Sequence, residues 1–265
     1  MPSTQYSVNI STLPSRETAL PSLKAPEQTR ELVRGTSLEH YCAGSLQDRT
    51  AMVVVEEPLH ISVPGHGDIV LPRTPGDDEN LIAGHLFSLG LIRTTADILD
   101  MDFHYNGSAR VAVRLGHPSP WRTPDRLSGT TRIAPERIFQ LRDRFEQRQR
   151  LYHSTRATHA AALFNADGEL LAYGEDVSRH CAFDKAVGAV LKKRLLCRVK
   201  IAMLTSRLAS ELTAKAAKAR IPILCGFSAA TSSGMELAET SGVTLIGRIG
   251  RECFTVYANG WRLDS

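Results

Sequence analysis

The stretch Ser154–Lys185, STRATHAAALFNADGELLAYGEDVSRHCAFDK, constrains this chain more than any other. Ala160 to Phe164 is a short apolar run with strand character. Asn165-Ala166-Asp167-Gly168 carries turn chemistry, and Glu169 to Tyr173 returns as a second strand. Strands joined this tightly must pair, so both open ends of the hairpin lie at one edge of a sheet. Thr158 and His159 enter there, and Gly174, Glu175 and Asp176 leave. A helix over Ser178 to Lys193 then brings Arg179, His180, Asp184 and Lys185 to the same edge. Two readings follow. One is a capped helix start, with Asp176 or Ser178 as N-cap and Asp184 and Lys185 solvated. The other is a ligand site built from these histidines, carboxylates and cations.

Beyond that helix the order becomes regular. Lys200–Thr205 is a strand, Ser206 caps an Ala-rich helix over Leu208–Ala219, and Ile221–Phe227 is a strand. Ser228–Glu239 is a loop and helix, and Val243–Ile246 and Phe254–Ala258 are strands. A hairpin followed by alternating helices and strands predicts an α/β domain with helices on the faces of its sheet. The Val, Ile and Leu runs without clean alternation fit strands covered on both sides. Ligands in such sheets gather beyond the strand ends, where Ser206, Arg207, Ser228 and Thr231 fall. With Arg179 and Lys185 nearby, these helix starts form an expected anion pocket.

Upstream, residues 1–35 are rich in Ser, Thr and Pro and read as a mobile tail. Ala51–Val55, Leu59–Val63 and, past the turn at Pro64–Gly67, Ile69–Leu71 are β-prone. Thr74-Pro75 opens a helix with Asp77, Asp78 and Glu79 at its positive end and Leu81, Ile82, His85 and Leu86 at helical spacing. His85 is expected in the core beside that stripe. Asn106-Gly107 joins Met101–Tyr105 to Ala109–Leu115 as a hairpin. A long loop over 116–134 precedes a helix from Pro135, on which Ile138, Leu141, Phe145 and Tyr152 share a face. Eight arginines and no lysine lie between Trp121 and Tyr152, either a wetted helix side or a set of forks for flat anions.

Net charge is +4, compatible with phosphate-bearing partners and too weak to argue for nucleic acid. Five cysteines, at 42, 181, 197, 225 and 253, give neither a CxxC pair nor a disulfide framework, which points to a reducing, cytoplasmic compartment. No leader pattern opens the chain, and no apolar run reaches membrane-spanning length. P-loop, GxGxxG, GxSxG and HExxH motifs are missing, as are the HxE and PCxxC pairs of zinc deaminases, so no metal site is expected. Cys181 beside His180 is either a buried structural thiol or an activated one.

Seven blocks in order resemble the formate dehydrogenase accessory sulfurtransferase family, FdhD: EEPLHISV (56–63), TPGDDENLIAGHL (74–86), STRATHAAALF (154–164), GEDVSRHCAFDK (174–185), TSRLASELTAKAAKARIPIL (205–224), SAATSSGMELAETSGVTLIG (228–247) and FTVY (254–257). The resemblance spans residues 50–258. It implies an α+β chain with a cytidine-deaminase-like, three-layer C-terminal domain, here 154–265. A smaller mixed N-terminal domain, here 36–153, and a homodimeric assembly are implied as well. Such proteins take sulfur from a cysteine desulfurase as a persulfide on a CxxC loop. They deliver it to the molybdenum bis(molybdopterin guanine dinucleotide) cofactor of formate dehydrogenase, whose guanine ends bind the C-terminal domain. The corresponding segment here is Arg248, Ile249, Gly250, Arg251, Glu252 and Cys253. On this reading Arg179, Lys185 and Arg207 neutralise phosphates, while Ser206, Ser228 and Thr231 donate hydrogen bonds. Glu175 or Asp176 accepts from a guanine edge, for which GDP is a mimic. His159, His180 and Asp184 contact the ligand or brace the hairpin.

The departures from the family pattern bear on function. Its two loop cysteines fall at about Gly129 and Arg132, within RLSGTTRIAPERI (126–138), and neither residue forms a persulfide. Ser178 and Arg156 stand where the family has glycine, and RIGREC (248–253) keeps little of its FxRGxR pattern. The expected function is therefore cofactor binding for formate dehydrogenase maturation without the CxxC relay. The alternatives are a sulfurtransferase using a displaced thiol, Cys181, or a repurposed non-catalytic paralogue.

Overall fold

The computed structural model describes residues 31–116 and 125–264, so the tail through residue 30 and part of the long loop, 117–124, lie outside it. The first strand starts at Val33, inside the span expected to be tail. Val33–Cys42 (β1) and Ser45–Val54 (β2) pair antiparallel as a ribbon, turning at Ala43 and Gly44, both at positive φ. Leu38, Tyr41, Leu46 and Met52 are exposed along it.

Glu57–Val63 (β3), Gly67–Arg73 (β4), Ile98–His104 (β5) and Ala109–Leu115 (β6) make a four-stranded sheet in the order β4-β3-β6-β5. The Asn106-Gly107 hairpin forms as its chemistry dictates, with Gly107 at φ +88°. The main sheet comprises His159–Phe164 (β7), Leu170–Asp176 (β8), Ile201–Leu204 (β9), Ile223–Gly226 (β10), Thr244–Gly247 (β11) and Thr255–Ala258 (β12). Its order is β12-β11-β10-β9-β7-β8. β9, β10 and β11 are parallel, and β12 and the β7–β8 hairpin are antiparallel to their neighbours.

Six α-helices accompany these sheets: Asp78–Leu89 (α1), Pro135–Glu146 (α2), Arg150–Thr155 (α3), Arg179–Lys192 (α4), Ser210–Lys218 (α5) and Ser232–Ser241 (α6). Alternate residues of the main sheet enter two different cores. Ala161, Leu163, Ala202, Leu204, Leu224 and Leu245 cluster with Phe183, Val187, Leu212, Ala216 and Ala238 of α4, α5 and α6. Ala160, Ala162, Phe164, Met203, Ile223 and Ile246 cluster instead with Ile138, Leu141 and Phe145 of α2. With both faces covered the strands have no polar side to show, which is why their sequences do not alternate.

α1 crosses α4 at backbone distance. A Cβ on Gly84 would stand 1.9 Å from the Asp184 carbonyl oxygen, and one on Gly188 would stand 1.8 Å from that of Asn80. Glycine alone permits the approach. Leu81, Ile82 and Leu86 of α1 and Leu59, Ile61 and Val111 of the smaller sheet thereby join the α4 core. Arg73, 0% exposed, adds a two-pronged bond to Asp78 at 2.8 and 2.9 Å, tying β4 to the start of α1.

Two helices differ from expectation. The helix from Pro135 stops at Glu146 and resumes as α3, because the Glu175 carboxylate of β8 takes the N–H groups of Leu151 and Tyr152. α5 begins at Ser210 with Ala209 as its N-cap, three residues later than a Ser206 cap requires. Residues 206–209 are drawn into a backbone pairing with 229–231. Leu208 N–H donates to Ala229 O, and Thr231 N–H donates to Leu208 O, both at 3.1 Å. Among the described residues no helix is long and apolar enough to cross a membrane.

Candidate functional site

The β7–β8 register sets His159 opposite Asp176 and Ala160 opposite Glu175. β9 pairs antiparallel with β7, Ala161 opposite Leu204, so Thr205 and Arg207 emerge at the same edge. The ends of the parallel β10 and β11 place Phe227, Ser228 and Arg248 there too. The polar groups expected at one edge are thus neighbours, but they divide into two sets.

The first set is spent inside the protein. Both Glu175 oxygens are occupied, by Leu151 N and Tyr152 N and by the hydroxyls of Thr158 (3.0 Å) and Tyr173 (2.9 Å). Burial and the Glu175 charge push the Tyr173 phenol up, so it stays a donor. Asp176, fully buried, pairs with Lys185 at 2.8 Å and accepts from Thr74 N and Ser178 N. Burial raises its carboxyl, against the Lys185 charge and these bonds. Lys185 also donates to Thr74 O at 2.8 Å. Asp184 receives Ser88 Oγ at 2.8 Å, His85 Nδ1 at 3.0 Å and Lys215 Nζ at 2.6 Å. Burial opposes its ionisation, but His85 and Lys215 together hold the carboxyl below its usual range. Asp176, Asp184 and Lys185 are buried, and Glu175 is half-buried. Neither carboxylate of the hairpin keeps an open acceptor for a guanine edge, and Lys185 faces Asp176 instead of a phosphate. His85, expected as a core histidine, is a partner of Asp184; only the docking of α1 on α4 brings them together.

The second set includes the wall of a cavity of about 550 Å³, formed by Tyr152, His153, Arg156, Thr158, His159, Thr205 and Phe227 among others; Arg179, His180, Arg207 and Arg248 stand outside that lining. His159 Nδ1 lies 3.2 Å from Thr205 Oγ1, which also accepts Ala160 N–H at 3.0 Å. With the hydroxyl donating to Nδ1, Nε2–H is the ring's free donor. Burial, then the charge of Arg179, lowers the His159 pKa; burial, Lys215 and Arg179 lower that of His180. Both imidazoles are neutral near pH 7. The half-buried Arg179 leaves its Nε–H without a hydrogen-bond partner. Arg207 and Arg248 are exposed, and neither side chain is paired among the described residues.

Several positions have a local explanation. Ser178, where the resemblance implies glycine, is the N-cap of α4 and accepts Cys181 N–H at 3.4 Å. Arg156, the other such position, closes α3 at φ +59°, a left-handed conformation natural to glycine, and its guanidinium lies 5.2 Å from the Tyr152 ring. Thr231 uses its hydroxyl to cap α6 by accepting Gly234 N–H, and Ser206 Oγ donates to Arg207 O. Ile249 is buried in the α2 core, and Gly250 N–H donates to Cys253 O, so 248–253 is a tight turn presenting Arg251 and Glu252.

Cys181 is 2% exposed, and its Sγ–H points to Pro72 O at 3.5 Å. Burial and the Asp176 charge push the thiol up to about 11, so it does not ionise near neutrality and is a poor nucleophile. Gly129 and Arg132 lie away from this edge. Arg132 donates to Trp261 O at 2.9 Å, and Gly129 borders a different cavity at the opposite end of β9. Arg126 and Arg144 likewise bond Glu239 O and Gly168 O, so these arginines anchor loops instead of forming an anion surface. Among the described residues no cluster of three His, Cys, Asp or Glu side chains is arranged to hold a metal ion.

Residues 116–264, more than half of the chain, match the FdhD/NarQ family. The chain belongs to that family. The sulfur carrier protein FdhD of Sulfurisphaera tokodaii is 35% identical, covering 80% of this chain and 91% of its own. The sulfur carrier protein FdhD of Mycolicibacterium paratuberculosis is 31% identical over 84% and 96%. The crystal structure of a protein described as a formate dehydrogenase accessory protein, from Desulfotalea psychrophila, superposes with a TM-score of 0.76 at 25% identity, covering 88% of this chain and all of that one. A mixed α/β architecture is therefore shared by this chain and that accessory protein.

Proposed function

We propose that this FdhD/NarQ member is a formate dehydrogenase accessory protein that binds the guanine nucleotide end of the molybdenum bis(molybdopterin guanine dinucleotide) cofactor at the open edge of the β7–β8 hairpin. The observation behind this reading is the set of uncommitted cations there. Arg207 and Arg248 stand free beyond the strand ends, and the Arg179 Nε–H is buried without an acceptor. An anionic group supplies the acceptors these donors lack, so the residues present fit a diphosphate. Neutral His159 and the Thr205 hydroxyl offer uncharged contacts beside them. The buried Asp176–Lys185 and Asp184–Lys215 pairs hold α4 and α5 in place and do not themselves reach the ligand. Bound there, the cofactor would bring its own metal chemistry; this chain's part is to hold the nucleotide and present it. Formate dehydrogenase is the partner on this reading, with a second copy of the chain completing a homodimer.

Calorimetric titration with GDP tests the proposal. Saturable binding at one site per chain is expected, and Arg207→Ala should weaken it by ~1–3 kcal/mol, the worth of a charged hydrogen bond. Wild-type protein that does not bind GDP would remove the reading. Unchanged affinity in Arg207→Ala would remove that residue's role alone. A second reading, sulfur carriage in exchange with a cysteine desulfurase, draws on the relatives' designation as sulfur carrier proteins. It needs an accessible thiol, which Cys181 does not provide.

A further inference from the structure

At the opposite end of β9 from the hairpin edge lies a larger cavity, about 1030 Å³. The C-terminal ends of α4 and α5, the entries to β9 and β10, and loop residues 127–131, Gly129 among them, form its wall. Six cationic residues line it, Arg93, Arg194, Lys200, Lys218, Arg220 and Arg262, against the single carboxylate of Asp125 among the described residues. Arg194 and Arg220 are exposed and unpaired among the described residues. They sit at φ +57° and +55°, where a β-carbon is strained. Arg262 is 1% exposed and donates to Gly242 O, Thr244 Oγ1 and Leu127 O, yet its Nε–H has no partner. A buried donor of this kind is costly to leave unmatched, and an anion in the cavity would match it.

Cys197 is on the same wall, exposed, in the turn Leu196–Arg198 between α4 and β9. Lys200 Nζ donates to the Cys197 carbonyl at 3.0 Å, which keeps an ammonium at that turn. The other thiols are placed differently. Cys181 and Cys225 are buried and their thiols pushed up by that burial. Cys42 is at the tip of the β1–β2 ribbon, and Cys253 is in the turn after β11; neither borders this cavity.

We propose that Cys197 is the sulfur-accepting thiol of this chain and that the cation-lined cavity beside it holds an anionic sulfane-sulfur donor during transfer. The inference rests on the sulfur-carrier reading above. In the transfer, the Cys197 thiolate attacks the outer sulfur of a donor persulfide, R–S–SH. A bond forms between Cys197 Sγ and that sulfur, and the donor S–S bond breaks. The electron pair leaves with the donor as R–S⁻, and the proton stays on the transferred sulfur, so the exchange is redox-neutral. Gly129 cannot take this part, and Cys197 brings a thiol to the same cavity from a different element.

The experiment treats full-length protein with inorganic polysulfide and locates the added sulfur by intact and peptide mass. A one-sulfur increment on the peptide carrying Cys197 is expected, lost in Cys197→Ser and kept in Cys253→Ser. Arg194→Glu combined with Arg220→Glu should slow labelling by polysulfide about tenfold, while alkylation of Cys197 by neutral iodoacetamide keeps its rate. Equal slowing of both reagents would overturn the cavity's part. An increment on Cys42 or Cys253 in place of Cys197 would overturn the assignment and leave sulfur carriage standing. An increment on none of the five cysteines would end both, whatever the outcome of GDP titration.

Discussion

Replacing Gly84 by alanine tests the helix crossing on which both buried carboxylate clusters depend. The new methyl would lie 1.9 Å from the Asp184 carbonyl oxygen, a backbone atom that cannot swing aside. Ordinary contact begins near 3.4 Å, so α1 and α4 must part by roughly 1.5 Å. His85 and Ser88 ride on α1, and their 3.0 and 2.8 Å bonds to Asp184 do not survive such a shift. Overpacking costs ~1–3 kcal/mol, and each weakened bond to the charged carboxylate adds ~1.5–3 kcal/mol. Alanine returns ~1 kcal/mol through helix propensity, leaving a net loss of about 3–8 kcal/mol. Urea unfolding should show this as a large fall in midpoint at unchanged slope. Gly129→Ala is the control, since a Cβ there has nothing within 4 Å, and it should be neutral. A Gly84→Ala protein as stable as wild type would refute the close crossing and the Asp184 cluster with it.

Lys185→Met should leave the Asp176 carboxylate buried without its counter-charge and cost ~3–5 kcal/mol, much of it recovered in the double variant with Asp176→Asn; thermal melts check both. The depressed pKa values of His159 and His180 mean that the unfolded chain binds protons first, at roughly pH 6.5. Their contribution to stability is therefore complete above that pH and lost as pH falls towards the lowered folded values. Urea melts between pH 7.5 and 5.5 should show the decline, and His159→Gln should flatten it. Asp184 acts in a lower window, its contribution present above roughly pH 3.9 and lost as pH falls through its depressed folded value; Asp184→Asn should remove the acid limb of the stability profile.

The hairpin was legible because its information is local: turn residues at 165–168 between two apolar runs leave one pairing open. The same holds for Asn106-Gly107 and for the strands of the main sheet, whose apolar runs reflect burial on both faces. The errors arise where a distant segment decides. Ser206 has the chemistry of a cap, yet the backbone of 229–231 pairs with Leu208 and the helix starts later. Asp184 and Lys185 look solvated in a helix read alone. They are buried because Gly84 and Gly188 admit α1 at a distance that no window of sequence around residue 184 reveals. Tyr152 keeps helical spacing with Phe145, but a carboxylate from β8 intervenes and divides the helix. The 550 Å³ cavity draws on α2, α3, β7, β9 and the end of β10, and the opposite cavity is as scattered along the chain.

Arg156, Arg194, Arg220 and Arg248 all adopt positive φ, the backbone state for which glycine or asparagine is the easier choice. One lines the hairpin cavity, two line the opposite cavity, and one follows β11. An engineer selecting for thermostability alone would replace all four and be rewarded at each step. The product would hold its shape better while shedding cations from both ends of the sheet. Screens on this scaffold therefore need a ligand in the selection, because heat tolerance and the proposed anion recognition draw on the same four backbone positions in opposite directions.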